Sequence, residues 1–234
     1  MLALATSLAL LMAPPAAHAA TVALPDTGSA TTWQIDPTHS ELLFRIRHLV
    51  GRVTGTFTDW EGTITGEPSD WAKGSVTVTI RAKSISTNNQ RRDTHLRSDD
   101  FFATDSFPEI TFVSTGVTVQ GEEISLTGDL TMRGRTRRIT LTGTYNGITP
   151  GNRGRDRVGF AVSTKINRLD YGVAYNRAVE GGGVLLGDEV TLDITLEAVK
   201  VVPGAEGPGP GPPAPQPAPA AAPLTKVPKR VRGL

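Results

Sequence analysis

The stretch ISLTGDLTM, residues 124–132, places Ile124, Leu126, Leu130 and Met132 on one side of an alternating pattern and serine, threonine and aspartate on the other. Alternation with a period of two is typical of a β-strand that has one face in a core and one face in water. The stretch therefore predicts a half-buried strand, and it sets the pattern that the rest of the chain repeats.

The same period recurs between residues 31 and 202. Four further runs carry it: Leu42, Phe44, Ile46 and His48; Val76, Val78, Ile80 and Ala82; Val158, Phe160, Val162 and Thr164; and Val190, Leu192, Ile194 and Leu196. Glycine, proline and asparagine interrupt the runs at short intervals, as at Asn146-Gly147. This organisation predicts an all-β domain of antiparallel strands, built as a sandwich or as a closed barrel.

Helical periodicity is confined to short segments. Residues 70–73 are one candidate, and residues 88–102 are another, because Leu96 and either Phe101 or Phe102 lie about one turn apart. The second candidate contains RRDTHLRSDDFF, a charged stretch that ends in two phenylalanines. Its composition leaves open whether it is a reaction centre or a plug on a hollow domain.

The two ends of the chain differ in composition from the middle. Residues 1–20, an apolar run followed by small residues ending Ala17-His18-Ala19, predict a secretory signal peptide and therefore a periplasmic or secreted protein. Residues 203–234 are rich in proline and alanine and end in KVPKRVRGL, which predicts a disordered tail. Its basic end is either a solvated tail or a weak contact with an anionic envelope surface.

Composition excludes several kinds of site. The chain contains no cysteine, so it has no disulfide framework and no thiolate metal site or nucleophile. Its formal net charge of +1 gives no general attraction to nucleic acid. Arg133, Arg135, Arg137 and Arg138 lack interleaved aromatic residues, so they indicate a solvated hairpin rather than a nucleic-acid surface.

Catalytic and metal-binding patterns are also weak. Asp93, His95 and Ser98 are too close in sequence to face one another as a catalytic triad, and no nucleophile elbow is present. His39, His48 and His95 are isolated and lack the spacing of a metal motif, so we expect no metal and no cofactor. Arg92, Asp93 and His95 remain the basis of one alternative, an enzyme of unknown type.

A set of short motifs, in order along the chain, resembles the YceI family of lipid- or polyisoprenoid-binding proteins. The motifs are WQIDPTHS (33–40), Phe44 with His48, Val53-x-Gly55-x-Phe57, Ser84-Ile85-x-Thr87, RDTHLRSDDFF (92–102), FPEITFVS (107–114), GDLTMRGRTR (128–137), INRLDYG (166–172) and GDEV (187–190). The resemblance covers most of residues 31–202 and does not extend to the proline-rich tail or to the glycine run at 181–183.

The resemblance implies an extended, antiparallel, eight-stranded lipocalin-like β-barrel with short helical segments. It further implies an exported, non-catalytic protein that carries or sequesters an isoprenoid quinone, a polyprenol or a similar long-chain amphiphile in the barrel. A homodimer is compatible with it. The remaining alternative is a surface interaction module that has a solid barrel and acts through its proline-rich basic tail.

By the same analogy we expect a set of inward residues to bind the lipid. They are Leu42, Phe44, Ile46, His48, Phe57, Leu96, Phe101, Phe102, Phe112, Leu130 and Phe160. Of these, Leu96, Phe101 and Phe102 belong to the predicted plug, which Arg92, Asp93 and His95 are expected to hydrogen-bond to the barrel. His39 is expected to be a structural hydrogen-bonding residue, with ligand contact as the alternative. Asn167, Arg168 and Asp170 are expected to form a turn that closes the barrel, with direct binding as the alternative.

Overall fold

The computed structural model describes residues 30–178 and 184–203. The predicted signal peptide, the glycine run at 181–183 and all of the tail beyond residue 203 lie outside the described residues. The strands are β1 (Thr32–Ile35), β2 (Glu41–His48), β3 (Gly51–Phe57), β4 (Trp60–Glu67), β5 (Asp70–Arg81), β6 (Ile85–Ser86), β7 (Glu109–Gln120), β8 (Glu123–Met132), β9 (Arg135–Thr149), β10 (Arg157–Asn167) and β11 (Leu186–Lys200). One α-helix, α1 (Gln90–Arg97), and 3₁₀ turns at Ala82–Ser84, Asn152–Gly154 and Arg168–Tyr171 complete the described elements.

The strands close into an antiparallel barrel of eight walls. β1 and β2 lie along the same edge of β11, β1 beside residues 198–200 and β2 beside residues 186–195, so together they form one wall. β4 pairs with β1 and β3 pairs with β2, which makes a second composite wall. β5, β7, β8, β9, β10 and β11 supply the other six. The closed barrel is the predicted fold class, and the prediction is confirmed.

Alternating burial explains why these segments form strands. In β8, Ile124, Leu126, Leu130 and Met132 are buried together with Gly128, while the alternate residues Ser125, Thr127, Asp129 and Thr131 are more exposed. Full burial of a side chain of this size contributes about 1.5–3 kcal/mol. A shift of the register by one residue would turn this whole set toward water, so the pattern also fixes the pairing.

Two glycines make room for phenylalanine rings on the inward face. Gly55 lies directly opposite Phe44 across the β2–β3 pair, and a Cβ atom at Gly55 would lie 2.3 Å from Phe44 Cζ. Gly128 lies two residues from Leu130, the partner of Phe112 in the β7–β8 pair, and a Cβ atom at Gly128 would lie 2.4 Å from Phe112 Cζ. The rings therefore lie over the backbone of the neighbouring strands.

An aromatic cluster fills one end of the barrel, which we call the closed end. It consists of Trp33, Trp71, Tyr145 and Phe160, and Trp71 lies 6.0 Å from Trp33, 5.7 Å from Tyr145 and 5.2 Å from Phe160 between ring centroids. The indole nitrogen of Trp33 donates to the Gly66 carbonyl at 3.0 Å. Aromatic packing of this kind adds to the stability that area burial supplies.

The helix prediction was right for one segment and wrong for the other. Within residues 88–102, α1 forms at Gln90–Arg97, and the side chain of Asn89 caps it by accepting from the Arg92 backbone N–H at 3.0 Å. Residues 70–73 are instead the start of β5. Trp71 in this segment is buried in the aromatic cluster, and this tertiary packing outweighs the local helical spacing. No helix among the described residues is long and apolar enough to cross a membrane.

Candidate functional site

A cavity of about 670 Å³ occupies the barrel beyond the aromatic cluster. Ligand pockets in proteins are typically about 300–1,000 Å³ and are lined mainly by apolar side chains. Here the wall is built from the inward positions of the strands, for example Leu192, Ile194 and Leu196 of β11. The barrel interior is therefore hollow over this length.

Most of the residues predicted to bind a ligand lie on the wall of this cavity. The ten are Leu42, Phe44, Ile46, His48, Phe57, Leu96, Phe101, Phe102, Phe112 and Leu130. Their convergence follows from the shared phase of the strand positions and from the way the segment after α1 folds inward. Direct contact with a ligand stays a prediction for each of them.

Phe160 is the exception, and its expected place in the main cavity was wrong. It points inward, but it lies at the closed end, where it borders a separate pocket of about 40 Å³. Its ring packs against Tyr145 at 5.3 Å and Trp71 at 5.2 Å. A period of two tells which face a residue occupies but not its height along the barrel axis, and the height decides this case.

Four lining residues are also exposed to solvent, and they locate the mouth of the cavity. They are Asn89, Arg91 and His95 of α1 and its cap, and Arg177. The ring of His95 lies 5.0 Å from that of Tyr175, which joins α1 to the segment around Arg177. We call this part of the barrel the open end.

The polar part of the described cavity wall is basic. Besides the four mouth residues it contains His48, Arg92 and Arg168, and no aspartate or glutamate is among the lining residues of the described chain. The sequence reasoning did not select Asn89, Arg91, Arg168 or Arg177 as lining residues. Charge and periodicity alone gave no signal for them, because they lie on a helix, a turn and a loop outside the strand pattern.

Arg92 and Asp93 attach α1 to the barrel, as predicted. Asp93 is buried and accepts from the Thr87 backbone N–H at 2.9 Å and from its hydroxyl at 2.5 Å. Arg92 donates to the same hydroxyl through Nε at 2.7 Å and to the Thr87 carbonyl through Nη2 at 2.9 Å. Thr87 follows β6, so this network ties the start of the helix to the strand that precedes it.

His95 does not make the predicted bond to the barrel. Its Nε2 lies 2.8 Å from Oδ2 of Asp100, in the segment that follows α1. Its ring packs edge-on against Phe101, with 5.0 Å between the ring centroids. Ser98 donates its hydroxyl to the His95 backbone carbonyl at 2.7 Å, and it does not approach the imidazole. Asp93, His95 and Ser98 thus have separate structural partners and form no triad.

The segment after α1 plugs the barrel as expected. Phe102 packs edge-on against Phe57 at 5.9 Å, and Phe101 is buried beside Tyr175 at 4.9 Å. Arg133, in the β8–β9 turn, donates to the backbone carbonyls of Asp99 and Phe101 and so fixes the segment from the other side. The apolar side chains of the plug form one wall of the cavity.

Arg168 holds the open end together from inside. Its guanidinium is buried and donates to the carbonyls of Gly187 at 2.8 Å, Val173 at 2.5 Å and Tyr175 at 3.0 Å, and to Asp188 Oδ1 at 3.2 Å. Burial lowers the pKa of Arg168 from its ordinary value, and the nearby Asp188 carboxylate partly opposes this. These bonds agree with the predicted barrel-closing turn.

The rest of that turn is exposed on one side and buried on the other. The Asn167 side chain accepts from the Leu169 backbone N–H at 2.9 Å, and Asp170 is exposed. Tyr171 is buried, and this burial raises its pKa to about 12. Asn167 and Asp170 are absent from the cavity wall.

One group of potential metal ligands exists among the described residues, formed by Asp36, His39 and Glu197. Arg157 donates to both Asp36 and Glu197, so a guanidinium already supplies the positive charge between the carboxylates. Burial opposes ionisation of Asp36, but hydrogen bonds from His39, Thr38 and Arg157 outweigh it and hold the pKa of Asp36 below its ordinary value. His39 is therefore part of a structural network.

Comparison with known proteins decides the family. The model of the YceI-like domain matches residues 33–198. The chain belongs to the YceI-like domain family. UPF0312 proteins of Staphylococcus aureus (strain MSSA476) and Staphylococcus epidermidis are each 39% identical to it, over 169 and 170 residues, and the match covers 71% of this chain and 96% of each relative.

Solved structures of this barrel agree with the fold. The YCEI protein of Campylobacter jejuni is 32% identical, with a TM-score of 0.59 over 67% of this chain and 90% of that one. BcnA of Burkholderia cenocepacia has a TM-score of 0.62 at 21% identity, covering 70% of this chain and 98% of that one. A polyisoprenoid-binding domain of Saccharophagus degradans has a TM-score of 0.55 at 18% identity, covering 72% and 98%.

Proposed function

We propose that this YceI-like protein is an exported, non-catalytic carrier that holds an isoprenoid-chain lipid, or a similar long-chain amphiphile, inside its barrel. The observation that carries the proposal is the cavity of about 670 Å³ with a wall that is mainly aliphatic and aromatic. Isoprenoid quinones and polyprenols are the ligand classes that fit such a wall. The Saccharophagus degradans protein supports this, since it is a polyisoprenoid-binding domain with the same fold.

The energetics favour a ligand with a long apolar chain. Each CH₂ group taken out of water contributes about 0.8 kcal/mol, so two isoprene units contribute about 8 kcal/mol before the costs of association. The apolar wall therefore supplies affinity without specific polar contacts. The polar residues at the mouth are left to orient a head group.

The arrangement of Arg92 and Asp93 argues against the enzyme alternative. Both side chains are engaged with Thr87, and Asp93 is buried by that contact. The cavity likewise argues against the alternative of a solid barrel that acts only through its tail. We extend the proposal to the cell envelope because residues 1–20 have the composition of a signal peptide and the basic tail suits an anionic surface.

Analysis of the purified protein tests the proposal directly. We expect organic extraction of protein from a bacterial host to release a prenyl or acyl lipid, and native mass spectrometry to show the corresponding added mass. The proposal fails if native spectra show only the mass of the chain and added polyprenol or isoprenoid quinone does not bind.

A variant that fills the cavity tests whether the lipid binds there. Leu192→Trp places an indole in the cavity and should reduce the bound lipid strongly while the barrel still folds. Thr191→Trp is the matched control, since the adjacent residue of β11 is absent from the cavity wall and should leave the lipid content unchanged. Equal lipid content in the two variants would place the ligand elsewhere.

A further inference from the structure

The turn between β2 and β3 exposes apolar side chains at its tip. Val50 is fully exposed and Leu49 is 42% exposed. Leu49 also has φ = 52°, a left-handed conformation in which glycine or asparagine is less strained. A soluble hairpin would normally carry polar residues at this tip, so the two aliphatic side chains call for an apolar partner.

Two arginines face each other directly behind this tip. Arg47 and Arg52 are cross-strand partners in the β2–β3 pair, and like charges in this position repel each other. Arg47 also donates to the Leu49 carbonyl at 3.1 Å. Neither arginine forms an ion pair with a carboxylate of residues 30–178 or 184–203. The hairpin therefore combines exposed apolar groups with positive charge that an external anion would neutralise.

The hairpin tip adjoins the mouth of the cavity. The Leu49 backbone N–H donates to the Leu185 carbonyl at 2.9 Å, and the Leu185 N–H donates to the carbonyl of Arg177, a mouth residue, at 2.9 Å. His48 and Leu185 themselves line the cavity. Val184, next to Leu185, is a further exposed apolar side chain. An object that contacts the tip thus also meets the cavity entrance.

We propose that this hairpin docks the protein, mouth first, on a bilayer that contains anionic phospholipid. Leu49 and Val50 enter the interfacial region, and Arg47 and Arg52 contact the phosphate groups beside them. Arg91 and Arg177 at the mouth add positive charge on the same side of the barrel. The inference builds on the proposed carrier function, because docking in this orientation lets a lipid pass between the bilayer and the cavity without crossing water.

The charge pattern favours a bilayer over an acidic protein as the partner. A bilayer offers apolar and anionic groups in adjacent layers, which matches a tip of two aliphatic residues backed by two arginines. Each basic residue near an anionic membrane surface increases binding about fivefold. The effect should decrease as salt is added, because exposed charges are screened.

Vesicle flotation with the full-length purified chain tests the docking. We expect the protein to float with vesicles of phosphatidylcholine and phosphatidylglycerol and to bind weakly to phosphatidylcholine alone. Val50→Asp should weaken binding to the anionic vesicles at least tenfold, since it replaces a buried apolar contact with a charge. The double change Arg47→Gln with Arg52→Gln should weaken it about 25-fold.

Matched variants guard against indirect effects. Ile148→Asp makes the same kind of change at a residue that is 44% exposed near the closed end, and it should not alter vesicle binding. Because Val50, Arg47 and Arg52 are exposed, their variants should unfold at the parent temperature. The docking proposal is overturned if Val50→Asp and the double variant bind as the parent does, or if no variant distinguishes the two ends.

The lipid content separates this inference from the proposed function. If the purified chain yields an extractable lipid but the hairpin variants bind vesicles normally, the carrier function stands and the docking fails. If vesicle binding depends on the hairpin but no lipid is bound, docking stands and the carrier function fails. The same samples serve both measurements.

Discussion

The closed and open ends of this barrel are built from different chemistry. At the closed end, Trp33, Trp71, Tyr145 and Phe160 pack ring against ring, and the remaining space is about 40 Å³. At the open end, a cavity of about 670 Å³ remains, bordered by a helical plug and by arginines. The interior is thus packed at one end and holds a cavity with an exposed mouth at the other.

The difference between the two ends shows how a barrel can contain a cavity and still be stably folded. Aromatic rings fill the interior at the closed end, whereas at the open end buried side chains such as Phe101, Met132 and Ile166 pack around the cavity as its wall. Hydrogen bonds add to this packing at the open end: Arg92, Arg133 and Arg168 donate to backbone carbonyls, and Asp93 accepts from a backbone N–H. We therefore expect the truncation of an aromatic side chain to lower stability more at the closed end and to lower lipid content more at the open end.

The largest effect on stability should come from Trp33→Ala. Removal of this buried indole leaves a cavity in the aromatic cluster and an unpaired Gly66 carbonyl, and it should lower the free energy of unfolding by about 4 kcal/mol. Urea denaturation measures the change. Phe102→Ala, at the partly buried plug, should cost clearly less and should change lipid retention instead; equal losses of stability would contradict the division between the ends.

Arg168→Leu should have the second largest effect and lower the free energy of unfolding by about 3 kcal/mol. The leucine leaves several buried carbonyls at the open end without their donor. Arg168→Lys should recover only part of the loss, because one ammonium cannot reach the acceptors that the planar guanidinium serves. Thermal unfolding of both variants checks this, and full rescue by lysine would show that charge alone matters.

His95→Ala should have a smaller effect, about 1 kcal/mol, from the loss of the Asp100 contact and of the ring contacts with Phe101 and Tyr175. Under the proposed function the variant still binds lipid. Chemical denaturation and lipid extraction are the two measurements. If a hydrolytic or transfer activity were found in the parent and lost here with stability and lipid intact, the enzyme alternative would replace the carrier.

The smallest effect concerns pH and the network at Asp36. The pKa of Asp36 in the folded protein is below its ordinary value of 3.8, so its carboxylate stabilises the fold above that pH and loses this contribution as the pH falls toward the lowered folded value. Asp36→Asn should therefore cost less than about 1 kcal/mol at pH 7, and its difference from the parent should shrink as the pH falls through the lowered folded pKa of Asp36. A constant difference across pH would show that the Arg157 contact is not electrostatic.

The sequence pattern predicted the features that depend on local alternation. The inward phase of Phe44, Ile46 and His48, the strand at 123–132 and the inward turn of Phe101 and Phe102 all follow from period two or from their place in the family motifs. Residues on the same phase of one strand must share a face, so the assignments within strands needed no tertiary information.

Other features depend on contacts between distant segments, and the sequence could not supply them. Phe160 was assigned to the correct face but the wrong height. Asp36 meets Glu197 and Arg157 only because β1, β10 and β11 are neighbours in the closed barrel. Trp71 turns residues 70–73 from a helical pattern into a strand because its ring completes a cluster formed by three other strands.

The glycines at 55 and 128 give this barrel a simple means of changing its capacity. Because each lies under a phenylalanine ring, one added methyl group at either position would displace that ring toward the interior. At Gly55 only the side chains of Phe44 and Thr87 would have to move, so one added carbon would reduce the cavity while the strand pairing stays as it is; at Gly128 the Val113 carbonyl, 2.7 Å from such a Cβ atom, would have to move as well. A substitution at a glycine behind a ring would thus change the length of the molecule that the cavity accepts, although the substituted residue does not contact that molecule.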